Sequence, residues 1–288
     1  MRFFRFYAQV SDLRRGLESP RYMAVPKEKR VMRPSSIVLL SAGLDSTVNL
    51  QCALDRGGVA AALTFDYGQR AAAREMQASA AICRRLGVRH ECIRLPWYRA
   101  IAHTALVDSS RPLPHPSAGQ LDDPASASRS AAKVWAPNRN GLFLAIAAAF
   151  AESCGAEQVV AGFNAEEAAT FPDNSEEFMR AATRAMRFST RTRVRVASYT
   201  VRLRKPAIVA LGLRIGAPLD LVWCCYEGGQ KLCGRCESCR RFLRAVEQAG
   251  AREWFEAHHR WMPGKSRRQR QSITTKSTKG TKNTKKGP

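Results

Sequence analysis

The stretch Ser36-Ile37-Val38-Leu39-Leu40-Ser41-Ala42-Gly43-Leu44-Asp45-Ser46-Thr47 decides the fold of this 288-residue chain. Its first five residues form a short apolar run that is typical of a buried strand, and a helix is predicted from about Asp45 to Arg56. Small residues in the turn between them let several backbone N–H groups point to one spot. Since the helix adds the positive end of its dipole there, the stretch predicts an anion site at the carboxyl edge of a parallel sheet.

The same alternation of strands and helices continues along the chain. Strands that alternate with helices are typical of a Rossmann-like α/β domain with a parallel sheet and crossover helices. Residues 108–133 interrupt the alternation and are rich in Pro, Ser and Ala, so we interpret them as a loop. The further predicted strands are 59–65, 88–95, 157–161 and 193–199, and the further predicted helices are 70–86, one from about residue 138, 175–187 and 206–213.

Composition and charge limit the class of protein. Hydrophobic residues make up 45% of the chain and charged residues 25%, which excludes a wholly disordered chain. The net charge of +23 is typical of nucleic-acid-binding proteins. However, residues 1–34 carry +6 and residues 263–288 carry +9 of it, outside the regular pattern. We therefore expect no required nucleic-acid partner.

No apolar run approaches the about 18 residues of a membrane span, and no secretory signal is recognisable. A cytoplasmic protein without a membrane partner is therefore expected.

These patterns divide the chain into four predicted segments. The two ends are basic and the C-terminal one is poor in large apolar residues, whereas the middle alternates regularly and ends in a cysteine-rich stretch. The predicted segments are a poorly ordered extension (1–34), an α/β domain (35–222), a cysteine-rich helical segment (223–262) and a disordered basic tail (263–288).

Five of the nine cysteines lie between Cys224 and Cys239. Cys233, Cys236 and Cys239 follow a C-x2-C-x2-C spacing, and Cys225 lies seven intervening residues upstream. Four thiolates at this spacing suit tetrahedral zinc, and a site closed by four protein ligands is structural rather than catalytic. A disulfide pair, an iron–sulfur cluster and a redox C-x-x-C pair remain alternatives, and Cys224 is an alternative to Cys225 as the fourth ligand.

The turn after the first strand resembles a known phosphate loop. Residues 41–46, Ser-Ala-Gly-Leu-Asp-Ser, are similar to the Ser-Gly-Gly-x-Asp-Ser loop of the PP-loop ATP pyrophosphatases. Ala42 replaces a glycine of that pattern, and we expect its backbone to be right-handed or extended. The resemblance implies a HUP-type domain that splits ATP between the α and β phosphates, with Mg²⁺, and that adenylates a substrate oxygen. The implied nucleotide-binding residues are Leu40, Ser41, Ala42, Gly43, Leu44, Asp45, Ser46, Thr47, Val48, Asn49 and Leu50, with Ser41, Asp45 and Ser46 as the catalytic ones.

Three further stretches extend the pattern of the phosphate loop and the cysteines. They are residues 64–70 (Thr-Phe-Asp-Tyr-Gly-Gln-Arg), residues 137–140 (Pro-Asn-Arg-Asn) and residues 171–173 (Phe-Pro-Asp). Together with the cysteine pattern, and in this order, they resemble one family, 7-cyano-7-deazaguanine synthase of the queuosine pathway. The resemblance spans residues 36–246. It implies that ATP drives the conversion of 7-carboxy-7-deazaguanine and ammonia to the nitrile through an acyl-adenylate and an amide. It also implies one structural zinc on Cys225, Cys233, Cys236 and Cys239, and hence a C-terminal zinc-binding helical segment with four cysteine ligands.

Four residues are candidates for binding the small-molecule substrate. Arg139 opens a predicted helix and is expected either to grip a carboxylate or phosphate or to form a surface ion pair. Asp173 either accepts hydrogen bonds from a guanine-like base or caps the next helix. Phe163 and Phe171 either stack on that base or pack in the core.

The sequence leaves two other functions open. The first is another PP-loop adenylating enzyme such as a tRNA thiolase, and the second is a zinc-ribbon RNA-binding protein. The sequence departs from the family pattern at residues 165–170 and 174–175, beside the expected base-binding loop. It leaves the oligomeric state undetermined, with a homodimer as one option.

Overall fold

A computed structural model of the protein describes residues 35–258, so the predictions for residues 1–34 and for the basic tail lie outside the described part. Five strands form one sheet in the order β3-β2-β1-β4-β5, and every neighbouring pair is parallel. The predicted α/β fold with a parallel sheet is thus confirmed. The chain moves outward from the central strand β1 and then crosses back to its other side, which opens a crevice between β1 and β4. The strands are β1 Ser36–Leu39, β2 Val59–Asp66, β3 His90–Arg94, β4 Gln158–Val160 and β5 Arg195–Ala197.

Helices cover both faces of this sheet. Alternate residues of β1 serve opposite cores, because Val38 packs on one face and Ile37 on the other. One face is covered by α1, α2, α7 and α8, and the other by α4 and α6. The helices are α1 Leu44–Gly57, α2 Ala72–Leu86, α3 Pro124–Val134, α4 Arg139–Cys154, α5 Ala165–Ala168, α6 Glu176–Ser189, α7 Lys205–Arg214, α8 Glu237–Gln248 and α9 Arg252–His258.

The interpretation of residues 108–133 as a loop is wrong for their second half, which forms α3. Pro124 stands at the first helical position, where its missing N–H costs nothing. The Asp123 carboxylate caps the helix by accepting a hydrogen bond from the Ser126 N–H at 2.8 Å. The helix also has one apolar face, with Ala127, Ala131 and Val134 buried at helical spacing. The Ser and Ala residues of this segment therefore serve a packed helix.

The cysteine-rich segment packs against the α/β domain. Phe242 and Val246 of α8 are buried in the same hydrophobic core as Val48 of α1 and Ile208 of α7. Burying these apolar side chains holds the segment against the α/β domain. No helix in the described range 35–258 is long and apolar enough to cross a bilayer.

Candidate active site

A cavity of about 240 Å³ lies at the carboxyl edge of the sheet. Its walls come from the ends of β1, β2 and β4, from the first turns of α1, α4 and α7, and from the start of the cysteine-rich segment. Six of the eleven residues expected to bind the nucleotide line it. These are Leu40, Ser41, Gly43, Leu44, Asp45 and Ser46. The cavity thus occupies the position where parallel α/β sheets bind ligands.

The other five expected nucleotide-binding residues do not face the cavity. Ala42, Thr47, Val48, Asn49 and Leu50 all have no exposed surface. After the first turn, the helical repeat directs most side chains of α1 toward the sheet and its neighbours. Asn49, for example, donates to Thr200 Oγ1 at 2.6 Å and accepts from the Tyr199 N–H at 2.7 Å. These side chains support the loop from behind, and a contact of these five residues with the nucleotide stays a prediction.

The loop between β1 and α1 gathers hydrogen-bond donors at one point. Ser46 Oγ accepts from the Ser41 N–H at 3.3 Å, and Ser41 Oγ accepts from the Gly43 N–H at 3.4 Å. The two hydroxyl oxygens lie 3.2 Å apart. Because α1 begins at Leu44, its unpaired first-turn N–H groups and its positive dipole end are directed to the same place. Such an arrangement binds an anion such as a phosphate.

Ala42 adopts a left-handed backbone, with φ of 58°. The expectation of a right-handed or extended conformation is therefore wrong. The Ala42 carbonyl accepts a hydrogen bond from the Trp223 N–H at 2.8 Å, which ties the loop to the cysteine-rich segment. A Cβ in this region of backbone space costs about 1–2 kcal/mol, so the alanine holds a turn that suits glycine better.

Gly162, after β4, lets the end of that strand approach the loop closely. A Cβ added at Gly162 would lie 2.7 Å from the Ser46 nitrogen and 3.0 Å from the Asp45 carbonyl carbon. Contacts this short with backbone atoms force a displacement, so only glycine fits without one. The position brings the β4 end and the phosphate loop together at the sheet's switch point.

An ion cluster around the buried Lys205 borders the loop, and only one of its three members, Asp45, is among the residues predicted from the sequence. Lys205 Nζ lies 3.0 Å from Asp45 Oδ2 and 2.7 Å from Glu167 Oε1. The side chain of Lys205 is only 9% exposed. Burial disfavours the charged ammonium, but the two carboxylates outweigh it and raise the pKa of Lys205. All three residues line the cavity.

The pKa values of the two carboxylates move in opposite directions. The positive charge of Lys205 lowers the pKa of Glu167 against the effect of burial. Burial raises the pKa of Asp45, and Lys205 only partly counters it. The sequence position of Lys205 is unusual, because it stands in the first turn of α7, where the helix dipole disfavours a cation. This position could have indicated a functional lysine.

The opposite end of the cavity is aromatic and contains Arg139. Its Nη1 donates to the Tyr67 hydroxyl at 3.2 Å, and its guanidinium carbon lies 5.8 Å from the centre of the Tyr67 ring. No carboxylate within residues 35–258 forms an ion pair with Arg139, which removes the alternative of a surface ion pair there. Burial raises the pKa of the Tyr67 hydroxyl, so this hydroxyl stays protonated. Arg139 is therefore a charged donor at the cavity wall.

Glu75 is a further carboxylate at this end, and it is not among the site residues predicted from the sequence. It accepts a hydrogen bond from Gln69 Nε2 at 2.8 Å, and Gln69 also accepts from the Tyr67 N–H at 3.0 Å. Burial raises the pKa of Glu75. Gln69 thus shapes the turn after β2 and fixes the Glu75 carboxylate in the wall.

The structure brings only some of the expected substrate residues to the cavity. Phe163 lines it but is 4% exposed and packs edge-to-face on Phe178 at 6.1 Å between ring centres. Phe171 stacks on Trp135 at 6.2 Å, and it borders a small neighbouring cavity instead. Asp173 stands outside both cavity walls, while its neighbour Asn174 lines the larger one. Ser175, not Asp173, caps α6 by accepting from the Phe178 N–H at 3.0 Å.

Four cysteines form a candidate metal centre beside the cavity. The sulfur atoms of Cys225, Cys233, Cys236 and Cys239 all lie within 4.8 Å of one another. Two of them, Cys233 Sγ and Cys239 Sγ, are 3.9 Å apart, near the roughly 3.8 Å edge of a tetrahedron with zinc–sulfur bonds of about 2.3 Å. Backbone N–H groups donate to Cys225 Sγ and Cys233 Sγ, as is common around thiolates. Four soft sulfur donors in this arrangement can hold a metal ion, whereas Cys224 lines the large cavity.

Comparison with known proteins assigns this architecture to a family. Residues 35–250 match the family model of the queuosine biosynthesis protein QueC, a range that includes the phosphate loop, the ion cluster and the four cysteines. The chain belongs to the QueC family. It is therefore an enzyme of queuosine precursor biosynthesis, and its expected family resemblance is confirmed.

Individual relatives of the QueC family agree with this assignment. The 7-cyano-7-deazaguanine synthase of Pelotomaculum thermopropionicum is 54% identical over 215 residues, which cover 75% of this chain and 97% of the relative. That of Desulforamulus reducens is 53% identical over 216 residues, which cover 75% and 95%. The synthase of Methanosarcina mazei is 43% identical over 221 residues, which cover 76% and 96%.

Proposed function

We propose that this chain is itself a 7-cyano-7-deazaguanine synthase, an ATP-dependent carbon–nitrogen ligase. It would use 7-carboxy-7-deazaguanine, ammonia and ATP. The observation that carries the proposal is that the donor-lined loop after β1 opens into the same cavity as Arg139. The 54% identity to a synthase of this name supports it. A phosphate site and a second anion-binding group in one cavity suit the activation of a carboxylate by ATP.

The chemistry divides into two activations. In the first, a carboxylate oxygen attacks the α-phosphorus of ATP, pyrophosphate leaves, and ammonia displaces AMP to form an amide. In the second, the amide oxygen is adenylated in the same way, and loss of AMP leaves the nitrile. Each activation requires positioning and neutralisation of the charge that develops on pyrophosphate. Ser41, Ser46 and the first-turn N–H groups of α1 would supply the donors for it.

Two metals have separate roles in this proposal. Mg²⁺ would neutralise the phosphates, and Asp45 fits it as a hard oxygen donor, since its Oδ1 is buried without a hydrogen-bond partner in the described range. Zinc would hold the four cysteines together and fix the segment that contacts the loop through Trp223. Four thiolate ligands leave no open coordination position, so zinc contributes structure.

The direct test is a reaction with defined substrates. Purified protein with 7-carboxy-7-deazaguanine, ATP and ammonium should yield the nitrile by mass spectrometry, with two AMP formed per nitrile. Ser46→Ala should abolish AMP formation, whereas Ser189→Ala, on the exposed end of α6, should leave it unchanged. A wild-type protein that forms neither amide nor nitrile refutes the proposal.

A tRNA thiolase is the second candidate, favoured by the position of Cys224 in the cavity wall. A thiolase needs a reactive cysteine near the ATP site, whereas nitrile synthesis does not. Cys224→Ser should therefore retain nitrile formation if the synthase proposal holds. Loss of activity in this variant, together with sulfur transfer to tRNA by the wild type, would favour the thiolase.

A homodimer and a cytoplasmic location remain expectations, which the mass in solution and cell fractionation would test.

A further inference from the structure

The nitrile-forming half of the proposed reaction has a requirement that the phosphate loop does not meet. An amide nitrogen carries two protons and a nitrile nitrogen carries none. Adenylation of the amide oxygen forms the C=N bond of an imidate and releases pyrophosphate and one proton. Cleavage of the C–O bond then releases AMP, while the electrons of the remaining N–H bond form the third carbon–nitrogen bond and the second proton departs. A base placed at the nitrogen would accelerate both losses by about 10²–10⁴-fold.

Three carboxylates line the cavity, and they differ in availability. Glu75 lies at the aromatic end, held by Gln69. Asp45 has one oxygen paired with Lys205 and the other buried. The Glu167 side chain is 35% exposed, and its Oε2 has no hydrogen-bond partner among residues 35–258. Glu167 is thus the carboxylate that has a free oxygen and a path by which a proton can reach solvent.

The position of Glu167 relative to the phosphate loop suits the reacting nitrogen. Its Oε1 lies 2.7 Å from Lys205 Nζ, which in turn lies 3.0 Å from Asp45 Oδ2 in the first turn of α1. A single ammonium group therefore separates the Glu167 carboxylate from the loop that would hold the α-phosphate. A substrate carbon bonded through oxygen to that phosphorus would lie next to the carboxylate.

The backbone around Glu167 is well held. Its N–H donates to Asn164 Oδ1 at 2.9 Å, and its carbonyl accepts from the Phe171 N–H at 2.8 Å. Asn164 is fully buried and caps α5. Since Lys205 also binds one carboxylate oxygen, the other oxygen is directed without rearrangement of the chain, as general-base catalysis requires.

We propose that Glu167 is the base that removes the protons from the amide nitrogen during nitrile formation, and that Lys205 is a positioning residue for its carboxylate. The proposal rests on the synthase function proposed above. It assigns no role to Glu167 in the attack of the carboxylate on ATP, where no proton is removed. Replacement of Glu167 should therefore leave the adenylation step of the first half nearly unchanged and slow the second half.

The test separates these halves by supplying the amide directly. Each protein is given ATP with one of two substrate sets, either 7-carboxy-7-deazaguanine and ammonium or the isolated 7-amido-7-deazaguanine. The proteins are the wild type, Glu167→Gln, Glu167→Asp and the control Glu177→Gln, which changes an exposed residue of α6. For Glu167→Gln we expect adenylation of the acid within about 3-fold of wild type. We expect nitrile formation from the amide to fall about 100-fold or more, so that amide accumulates. Glu167→Asp should recover part of the nitrile rate, and Glu177→Gln should match wild type.

Three results would overturn the assignment of Glu167. The first is nitrile formation from the amide by Glu167→Gln at a wild-type rate. The second is an equal loss of acid adenylation and of nitrile formation by a folded Glu167→Gln. The third applies if the Gln variant does not fold, and it is an equal effect of Glu167→Asp on acid adenylation and on nitrile formation. Circular dichroism distinguishes the folded from the unfolded variant. Failure of the synthase function itself gives a different result, because wild-type protein then forms no nitrile from either substrate.

Discussion

The ammonium group of Lys205 lies 3.0 Å from the carboxylate of Asp45, so the first turn of α7 is joined to the first turn of the phosphate-loop helix α1. Both helix N-termini point toward the same cavity, and their dipoles favour anions there. The buried lysine offsets one of the two negative charges of the carboxylates and leaves charged groups at the wall. The stability of the site and its proposed chemistry therefore involve the same three side chains.

Replacement of Lys205 should make stability depend on pH. In Lys205→Met the buried carboxylate of Asp45 loses its partner, so its pKa, which burial already raises, moves further above the unfolded value of about 4. Groups with raised pKa values in the folded state lose stability as pH rises through that window. We expect Lys205→Met to lose about 2–3 kcal/mol in the free energy of unfolding at pH 8, and less at pH 5. Urea unfolding at both values measures it.

The matched control is Lys133→Met, an exposed lysine on α3. It should change the free energy of unfolding by no more than about 0.5 kcal/mol at either pH. A loss in Lys205→Met that is the same at pH 5 and pH 8 would contradict the buried ion cluster.

Ala42→Gly should not lower the free energy of unfolding, although replacing alanine by glycine usually lowers it. The left-handed backbone at Ala42 costs an alanine about 1–2 kcal/mol, and glycine removes that strain at an entropic cost of about 0.5–1 kcal/mol. Ala181→Gly, at an exposed position within α6, should instead lose about 0.5–1 kcal/mol. Thermal melts of the two variants compare them directly, and an equal loss in both would show that Ala42 is not strained.

Gly162→Ala should disturb the phosphate loop. The added methyl group would lie 2.7 Å from the Ser46 nitrogen, and forcing β4 away from α1 should cost about 1–3 kcal/mol and weaken ATP binding. Gly119→Ala is the control, because a Cβ there meets nothing within 4 Å. Calorimetric titration with ATP and thermal melts give both quantities. Unchanged ATP affinity in Gly162→Ala would mean that the loop position does not depend on this close approach.

The cysteine cluster predicts one tightly bound zinc per chain. Cys236→Ser should lose the metal and lower the unfolding temperature, because metal binding contributes directly to folding. Cys154→Ser, at an exposed position outside the cluster, should retain both. Elemental analysis and melts with and without a chelator measure the effects. A metal-free protein with an unchanged unfolding temperature would contradict a structural metal.

Local patterns located most of the secondary structure but missed part of it. The strand from Ser36 and the helix with Pro206 in its first turn were predicted because apolar runs and proline act on a few neighbouring residues. Helix α3 was missed because its Ser, Ala and Pro composition also suits a loop, and only contacts of Ala127, Ala131 and Val134 with the core distinguish the two. Of the expected substrate residues, Arg139 lines the cavity and Asp173 does not. The position of each depends on how the segments before α4 and α6 are oriented, which no local pattern specifies.

The sequence by itself determined the parallel α/β class, the phosphate loop after Leu40 and the four-cysteine cluster, because each depends on residue type and spacing within a short stretch. Only the tertiary structure decided that Lys205 and Glu167 border that loop, 160 and 122 residues away from Asp45 along the chain. No local pattern encodes such a contact. It arises because parallel strands place all their carboxyl ends at one edge, where segments far apart in sequence meet.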